Sequence, residues 1–250
     1  MASDTRKTAL ITGASGGIGR ATARLLAESG IDLILHGHAN RAALDSLVAE
    51  LQSLYPAARI SALYADLSLE AEQNRLMEDV AKRCFAPDIL VLAAGVDLMS
   101  AAMKQRPFEE RLAKLWQVDV VGALRLARLF GERMRQNQGV IVFFGWDGVQ
   151  YGMAGETAQL YAAAKGAVQG FSRSLAHSLA PEVRVHCVAP GWIKTTWGDG
   201  ASPATDERVT AESLVRRWGT AADVARVVGF LVSDAAAYVN NQTLCVNGGR

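Results

Sequence analysis

Tyr161 and Lys165 stand four residues apart in the run Leu160-Tyr-Ala-Ala-Ala-Lys-Gly-Ala-Val168. Alanine-rich spacing favours a helix, and helix positions i and i+4 share a face, so the phenol and the ammonium point the same way. A tyrosine at its ordinary pKa of about 10 is a poor base at neutral pH; a cation held a few ångströms away favours the phenolate and lowers that value. The spacing therefore predicts an acid/base group able to protonate a carbonyl oxygen or deprotonate an alcohol. Taken alone, the same pair also reads as an ordinary surface pair of an amphipathic helix.

A second chemical feature lies near the start, Thr12-Gly-Ala-Ser-Gly-Gly-Ile-Gly-Arg20, between an apolar run and a helical stretch. Gly13, Gly17 and Gly19 follow GxxxGxG spacing. Positions without side chains permit a tight turn and let a pyrophosphate approach the N–H groups of a helix N-terminus, where the helix dipole favours anions. The next apolar run ends at His36-Gly-His-Ala-Asn-Arg41. An acidic residue there would accept from the ribose hydroxyls of NAD(H) and repel a 2′-phosphate; none is present, and His38 and Arg41 lean toward NADP(H), with NAD(H) possible.

The elements that must position these groups follow from the hydrophobic pattern. Short apolar runs alternate with longer helical ones, the pattern of a parallel sheet covered on both faces. Strands are predicted over Thr8–Thr12, Asp32–His36, Ile60–Tyr64, Ile89–Ala93, Val140–Phe144, Val183–Val188 and Thr243–Val246. Helices are predicted over Gly17–Glu28, Arg41–Leu54, Leu69–Cys84, Phe108–Arg135, Gln159–Leu179 and Ala221–Ser233. The fold class is α/β, a single doubly wound Rossmann-type domain over residues 1–250, with a substrate flap at about 192–217 that includes the Gly/Pro/Asp/Thr-rich stretch Gly198–Asp206. The chain has 250 residues, half of them apolar, enough for a sizeable core. A formal net charge of +1 with interspersed signs argues against a nucleic-acid or anionic-membrane surface and for a small-molecule partner. The polar first residues and the absence of a long apolar run point to a soluble, cytoplasmic protein. Cys84, Cys187 and Cys245 lack the CxxC spacing of metal or redox sites and read as free thiols, and no metal is expected.

In order along the chain, Thr12-Gly-x3-Gly-x-Gly19, Asp66-Leu67, Ala93-Ala-Gly95, Tyr161-x3-Lys165, Pro190-Gly191 and Asn247-Gly-Gly249 resemble the short-chain dehydrogenase/reductase family, and most closely its 3-oxoacyl-carrier-protein reductase-like members. The likeness implies that Tyr161 is the acid/base, that Lys165 lowers its pKa and binds the nicotinamide ribose, and that hydride passes between nicotinamide and a substrate carbon. It further implies that Asp66 bonds the adenine amino group, that Gly95 lines the adenosine side, and that Pro190, Gly191 and Thr195 meet the nicotinamide half. Ser15, Ile18, Leu67, Ala94 and Ile193 complete the implied cofactor contacts. From the residues alone, Asp66 also reads as a helix cap and Pro190-Gly191 as a turn. Family members of this kind form dimers and tetramers, and the apolar faces of Phe108–Arg135 and Gln159–Leu179 suggest a seam for a homodimer or homotetramer.

Three departures matter. The family's serine, thirteen residues before the tyrosine, is missing, for no serine occurs between Val140 and Tyr161. Counting from the strand places Gly145 and Trp146 at the usual serines; counting back from Tyr161 gives Gly148. Asp147, the Trp146 indole N–H, Thr157 and Gln150 are the candidates to replace it. Asp147, beside a glycine, is expected to turn inward. Because an ionised carboxylate cannot donate to a carbonyl, Asp147 would favour a nitrogenous substrate, an imine or pterin-like ring, as in the pteridine reductases of the same family. Asp119 replaces an asparagine whose kinked main chain holds a water in the proton path to the lysine. Leu92-Ala93 replace a pair of asparagines that brace the strand. Trp192 and Trp197 are candidates to shape an aromatic-tolerant pocket. Without the serine, a weakly catalytic dinucleotide-binding protein is the rival reading.

Overall fold

A computed structural model describes residues 6–195 and 200–249. Trp197 and Gly198 lie outside them. Seven parallel strands form one sheet: β1 (Thr8–Thr12), β2 (Asp32–Gly37), β3 (Ile60–Tyr64), β4 (Ile89–Leu92), β5 (Val140–Phe144), β6 (Arg184–Pro190) and, last in the chain, a strand over Thr243–Val246, in the order β3-β2-β1-β4-β5-β6-(Thr243–Val246). The central strands β2, β4 and β5 are buried along their whole length, as a sheet covered on both faces requires.

On one face pack α1 (Gly17–Glu28), α2 (Arg41–Leu54) and the helix Ala221–Val232, through Leu26, Leu44, Leu47, Leu51, Val224 and Val228. The other face carries α3 (Glu70–Ala81) and two long helical segments from the middle of the chain, which contribute Leu76, Leu126, Phe130, Leu160, Val168 and Leu179. Between β1 and β4 the chain reverses its direction of travel along the sheet. At such a switch point the loops leaving neighbouring strands diverge and open a crevice at the strands' C-terminal ends. The glycine turn leaves β1 there.

Several boundaries differ from expectation for local reasons. β4 ends at Leu92, because the Ala94 N–H is drawn sideways onto the Thr12 hydroxyl of β1 (3.1 Å). The stretch Phe108–Arg135, expected as one helix, is broken into α5, once a short α4 (Ala101–Lys104) has preceded it: α5 is Phe108–Leu115, a wider π turn spans Trp116–Gly122, and α6 is Ala123–Met134. A four-residue α7 (Gly148–Tyr151) precedes α8, which begins at Glu156 after a Gly155 with φ of 107° and runs to Leu179. In the expected flap, β7 (Ile193–Lys194) pairs in parallel with β8 (Gly219–Thr220), and between them lies α9 (Pro203–Glu212), capped by the Ser202 hydroxyl on the Thr205 N–H (3.2 Å). The helix from Ala221 is then α10, opened by a reciprocal cap between Thr220 and Asp223, and the strand Thr243–Val246 is β9. No helix among the described residues is long and apolar enough to cross a membrane.

One buried side chain ties the ends of three strands together. His36 in β2, 2% exposed, accepts at Nδ1 from the Gly13 N–H (3.4 Å), and its Nε2 lies 3.0 Å from the Ala65 carbonyl. Accepting at Nδ1 places the proton of the neutral ring on Nε2, which donates to Ala65. Burial holds the imidazole pKa down at about 4, against its bond to Ala65. Since the folded value lies below the ordinary 6.5, acid protonates the unfolded chain first. His36 should therefore cost the fold roughly 3 kcal/mol, lost between pH 6.5 and 4 and not further below. Urea unfolding across that range checks it, and His36→Asn, which cannot titrate, should lose this part of the pH dependence.

Candidate active site

The glycine turn is shaped by contacts that leave no room for a side chain. Gly13 has φ of +65°, and a Cβ on it would stand 2.6 Å from the Ala94 Cα; one on Gly19 would stand 2.4 Å from the Gly13 carbonyl oxygen. The Ala14 N–H donates to the His36 carbonyl (2.9 Å) and the Gly16 N–H to that of Gly13 (3.0 Å), which coils the turn against β2. Gly16 and Gly17 are thereby exposed at the N-terminus of α1, a helix of 12 residues. Ser15 lies against Gly37 at the end of β2. From the far side the Thr195 methyl comes within 3.0 Å of where a Gly17 Cβ would be. Bare backbone at a helix N-terminus, facing the loop after β6, fits the pyrophosphate of a dinucleotide. Ile18 is partly buried against the core, so its backbone is what it offers such a ligand.

At the adenosine end, Asp66 follows β3. Its Oδ1 accepts from both the N–H (2.9 Å) and the hydroxyl (2.7 Å) of Ser68, while Oδ2 lies 3.7 Å from His38 Nε2 and 3.8 Å from Lys114 Nζ. Burial acts to raise the carboxyl pKa, but the Ser68 bonds, Lys114 and His38 outweigh it and hold it below its ordinary value. The Arg41 guanidinium is stacked on the Tyr64 ring, 4.6 Å from its centre, and Asn40 rather than an acid caps α2. His38, Arg41 and Lys114 thus make this end basic. Leu67 is 3% exposed, its carbonyl bonded to Gln73 and set hard against Gly122 of the π turn, so its side chain is a packing group.

The Tyr161 end of the crevice is assembled from three elements. Tyr161 of α8 donates its hydroxyl hydrogen to the Val96 carbonyl (3.1 Å), in the loop after β4. Lys165, one turn on, places Nζ 2.7 Å from Asp119 Oδ2; the two side chains are 12% and 1% exposed. The other Asp119 oxygen accepts the Val96 N–H (2.8 Å). A Cβ on Gly95 would stand 2.9 Å from the same carboxylate, which explains a glycine there. The expected role for position 119 was mainly a main-chain one, with its carboxylate acting on Lys165 should it come close; it does come close, because the π turn swings it inward.

The Tyr161 pKa is also opposite in direction to expectation. Burial raises it above the ordinary tyrosine value, and the negative charges of Asp119 and Asp97 raise it further. A backbone bond at Leu98 acts the other way without outweighing them, and the Lys165 ammonium is held against Asp119.

Of the four candidates to replace the serine, Trp146 is the one brought against Tyr161, with ring centres 6.2 Å apart and planes at 51°. Asp147 is 1% exposed. Its N–H donates to the Pro190 carbonyl (3.3 Å), which aims the carboxylate at β6 and β9, and Oδ2 accepts from the Asn247 amide (3.2 Å) beneath Gly191. Asp147 is turned inward, with its carboxylate set against Asn247 and Gly191. The Thr157 hydroxyl is held by buried Arg111 (2.7 Å), and Gln150 by the Cys245 thiol (3.9 Å). The glycines at the counted serine positions are sterically required: a Cβ on Gly145 would meet Gln169 Nε2 at 2.7 Å, and one on Gly148 would strike the Trp146 ring at 2.3 Å. Gln169 also donates to the Trp146 carbonyl (2.9 Å), fixing that loop.

Pro190 and Gly191 close β6, Gly191 donating to the Val246 carbonyl (3.1 Å). The Ile193 side chain is buried in the core. Trp192 is packed edge-on against Trp218 at 6.1 Å and bonded to Glu212 of α9 (2.9 Å), tying the flap to the strand end. Val96, Asp97 and Gln169 carry no motif of their own; the nearest signal was the neighbouring Ala93-Ala-Gly95.

A doubly wound parallel sheet with a glycine turn at its switch point and a partly buried Tyr/Lys pair on α8 defines a dinucleotide-dependent oxidoreductase architecture. The chain belongs to the short-chain dehydrogenase/reductase family. Residues 13–250 match a family model described as enoyl-(acyl carrier protein) reductase. Among relatives, nodulation protein G of Rhizobium sp. (strain N33) is 36% identical over 250 residues, covering 98% of this chain and 97% of that protein. The 3-oxoacyl-[acyl-carrier-protein] reductase FabG of Rickettsia felis is 34% identical over 250 residues, covering 98% and 97%. A blue fluorescent protein from a metagenomic library, solved in complex with NADPH, superposes with a TM-score of 0.86 at 28% identity, covering 97% of each chain.

The contacts of Gly13 yield a direct expectation. Gly13→Ala places a Cβ 2.6 Å from backbone in a left-handed conformation, so it should lose about 1–3 kcal/mol of stability and with it dinucleotide binding. Thermal unfolding and a titration with NADPH measure the two effects separately.

Proposed function

We propose that this oxidoreductase is an NADP(H)-dependent reductase of a small carbonyl compound, with Tyr161 as the proton donor. The observation that carries the reading is the convergence of Tyr161, Lys165 and Asp119 on the Gly95-Val96 loop, at the same sheet edge as the glycine turn. Reduced nicotinamide supplies a hydride. The turn Gly13–Gly19, with Ser15 and Ile18, would hold the pyrophosphate; Asp66 and Leu67 the adenine; Ala94 and Gly95 the adenosine side; Pro190, Gly191, Ile193 and Thr195 the nicotinamide half; and Lys165 its ribose.

NADP(H) is favoured because the end of β2 offers His38 and Arg41 and no acid that would repel a 2′-phosphate. NAD(H) remains possible. The NADPH-bound relative with the same fold supports this choice.

Ketone reduction is preferred to reduction of an imine or pterin ring, since Asp147 is bonded to Asn247 and points under Gly191. Trp146 takes the place beside Tyr161, where its ring can bound a planar substrate. Assembly as a homodimer or homotetramer is supported by the half-exposed Trp116 and the groove it shares with Leu112, Ala113 and Ala163 between α5 and α8. With a small-molecule substrate and no spanning helix among the described residues, a cytoplasmic enzyme is the simplest setting.

NADPH oxidation against β-ketoacyl thioesters, diketones, quinones, cyclic imines and pterins tests the reading. The wild type should turn over at least one carbonyl class, and Tyr161→Phe should lose at least about 100-fold in kcat while still binding NADPH. Silence across the panel with NADPH still bound would favour a weakly catalytic binding protein, and turnover of imines or pterins alone would restore the nitrogenous alternative. Arg41→Asp should shift cofactor preference toward NADH, measured as the ratio of kcat/KM values; an unchanged ratio would place the phosphate elsewhere.

A further inference from the structure

The charged groups around Tyr161 come from three elements. Lys165 on α8 is the cation; Asp119 in the π turn and Asp97 in the loop after β4 are the anions. From the loop after β5 the facing group is the uncharged Trp146 ring. On β6, Cys187 feels the Lys165 charge, but burial pushes its thiol up to about 12, so it is neutral near pH 7.

Lys165 and Asp119 touch at 2.7 Å in a nearly dry setting. Seen from the phenol, such a pair presents little net charge, because the ammonium's field is opposed by a carboxylate at contact distance. The phenol also donates to the Val96 carbonyl. That bond exists only while the oxygen carries its hydrogen, and a phenolate there would face the carbonyl's negative end. The Val96 carbonyl belongs to the residue whose N–H is held by Asp119. One carboxylate thus holds both the lysine and, through the Val96 N–H, the acceptor of the phenol.

We propose that Asp119 is a positioning residue that sequesters Lys165 and keeps Tyr161 in its phenol form, making this site a proton donor for carbonyl reduction and a poor alcohol dehydrogenase at neutral pH. The inference rests on Tyr161 being the acid/base group. In reduction, NADPH is oxidised as its hydride reaches the carbonyl carbon, the C=O π bond breaks, and the Tyr161 proton joins the oxygen to give the alcohol; solvent then returns a proton to the phenolate. Oxidation with NADP+ must begin from the phenolate, whose population falls tenfold for each pH unit below the phenol's pKa. The equilibrium constant of the reaction is untouched; what Asp119 sets is the pH at which the oxidative direction becomes fast.

Asp119→Asn tests this, since it keeps an oxygen for the Val96 N–H and removes the charge that holds Lys165. The first readout needs neither cofactor nor substrate: ultraviolet titration of tyrosinate, each protein measured against its own Tyr161→Phe counterpart, with circular dichroism to verify the fold. In the wild type, Tyr161 should give no phenolate signal within about one unit above the ordinary tyrosine value of about 10. In Asp119→Asn its titration should move down by at least one unit. The second readout is the pH profile of alcohol oxidation with NADP+, whose alkaline rise should shift down equally, so that the rate at neutral pH increases about tenfold. An unmoved Tyr161 titration in a folded Asp119→Asn overturns the inference. Should that variant fail to fold, Asp119→Ser takes its place with the same two readouts, and a wild-type Tyr161 phenolate at or below the ordinary value overturns the inference outright. A shifted titration in a protein that reduces nothing would sink the enzyme reading and leave the ion-pair inference standing.

Discussion

A buried carboxylate has to be paired, and that of Asp119 is paired twice. Taking such a group out of water costs several kcal/mol unless its oxygens are bonded and its charge is met. Here one oxygen takes the Val96 N–H and the other the Lys165 ammonium. These bonds reach from the π turn to the loop after β4 and to α8, the three elements that make the Tyr161 end. Remove the carboxylate, and the Gly95-Val96 loop loses the bond that sets its height above the sheet, and with it the carbonyl that orients Tyr161. The π turn exists to deliver this side chain. In regular helix geometry, residue 119 would advance 100° per residue along one continuous cylinder; the wider turn rotates it inward and brings Gly122 against the Leu67 carbonyl, a contact only a glycine permits.

The glycine turn obeys a similar logic with neutral groups. Its coil is held by backbone bonds to β2 and by a histidine kept uncharged through burial, and no acidic residue stands in the first turn of α1. The sheet supplies the rest. Because β1 and β4 are neighbours while their following loops travel to opposite faces, the turn after β1 and the Ala93-Ala-Gly95 loop after β4 lie against one another, and Gly13 meets Ala94 backbone to backbone. The dinucleotide end and the Tyr161 end are thus joined through a single short loop after β4. Thr12 braces it on one side and Asp119 on the other.

Most of the sheet was legible in the sequence because buried parallel strands are short uninterrupted apolar runs, and all seven stand where those runs are. The boundaries that moved did so for tertiary reasons that no local pattern records: the Thr12 hydroxyl pulling Ala94 out of β4, and the π turn dividing the stretch Phe108–Arg135. Helix α9 had a local signal, Ser202 before Pro203 at a helix start, but it was masked by composition that also suits a loop. At the site, the Tyr161 and Lys165 spacing foretold a shared face but not what that face meets. Whether the ammonium reaches the phenol or an acid 46 residues earlier in the chain is a question of packing, and packing chose Asp119. The direction of Asp147 is set in the same way. Its residue type suited an inward turn, and its backbone bond to Pro190 directs the carboxylate toward Asn247.

The loss of the serine now has a structural cause. In the loop after β5, Gly145 is crowded by Gln169 and Cys187, and Gly148 lies under the Trp146 indole. A side chain at either position would have to displace a neighbour, Gln169 or Cys187 at 145 and the Trp146 indole at 148, so a hydroxyl could not be restored there without such a shift. A large aromatic ring instead stands beside Tyr161, the proposed proton donor. A ring face offers dispersion contact and a modest electrostatic preference, not a strong donor aimed at an oxyanion, and one such donor is worth a factor of roughly 10² to 10³ in rate. More of the activation must then come from elsewhere, and here the other features converge. A phenol kept protonated by its surroundings needs no base to prepare it for giving its hydrogen to a carbonyl. A substrate whose carbonyl is already polarised by conjugation or by a neighbouring carbonyl needs less help from a second donor. On the function proposed above, the substrate best matched to these groups is a flat, electron-poor carbonyl compound lying on Trp146 with its oxygen at Tyr161.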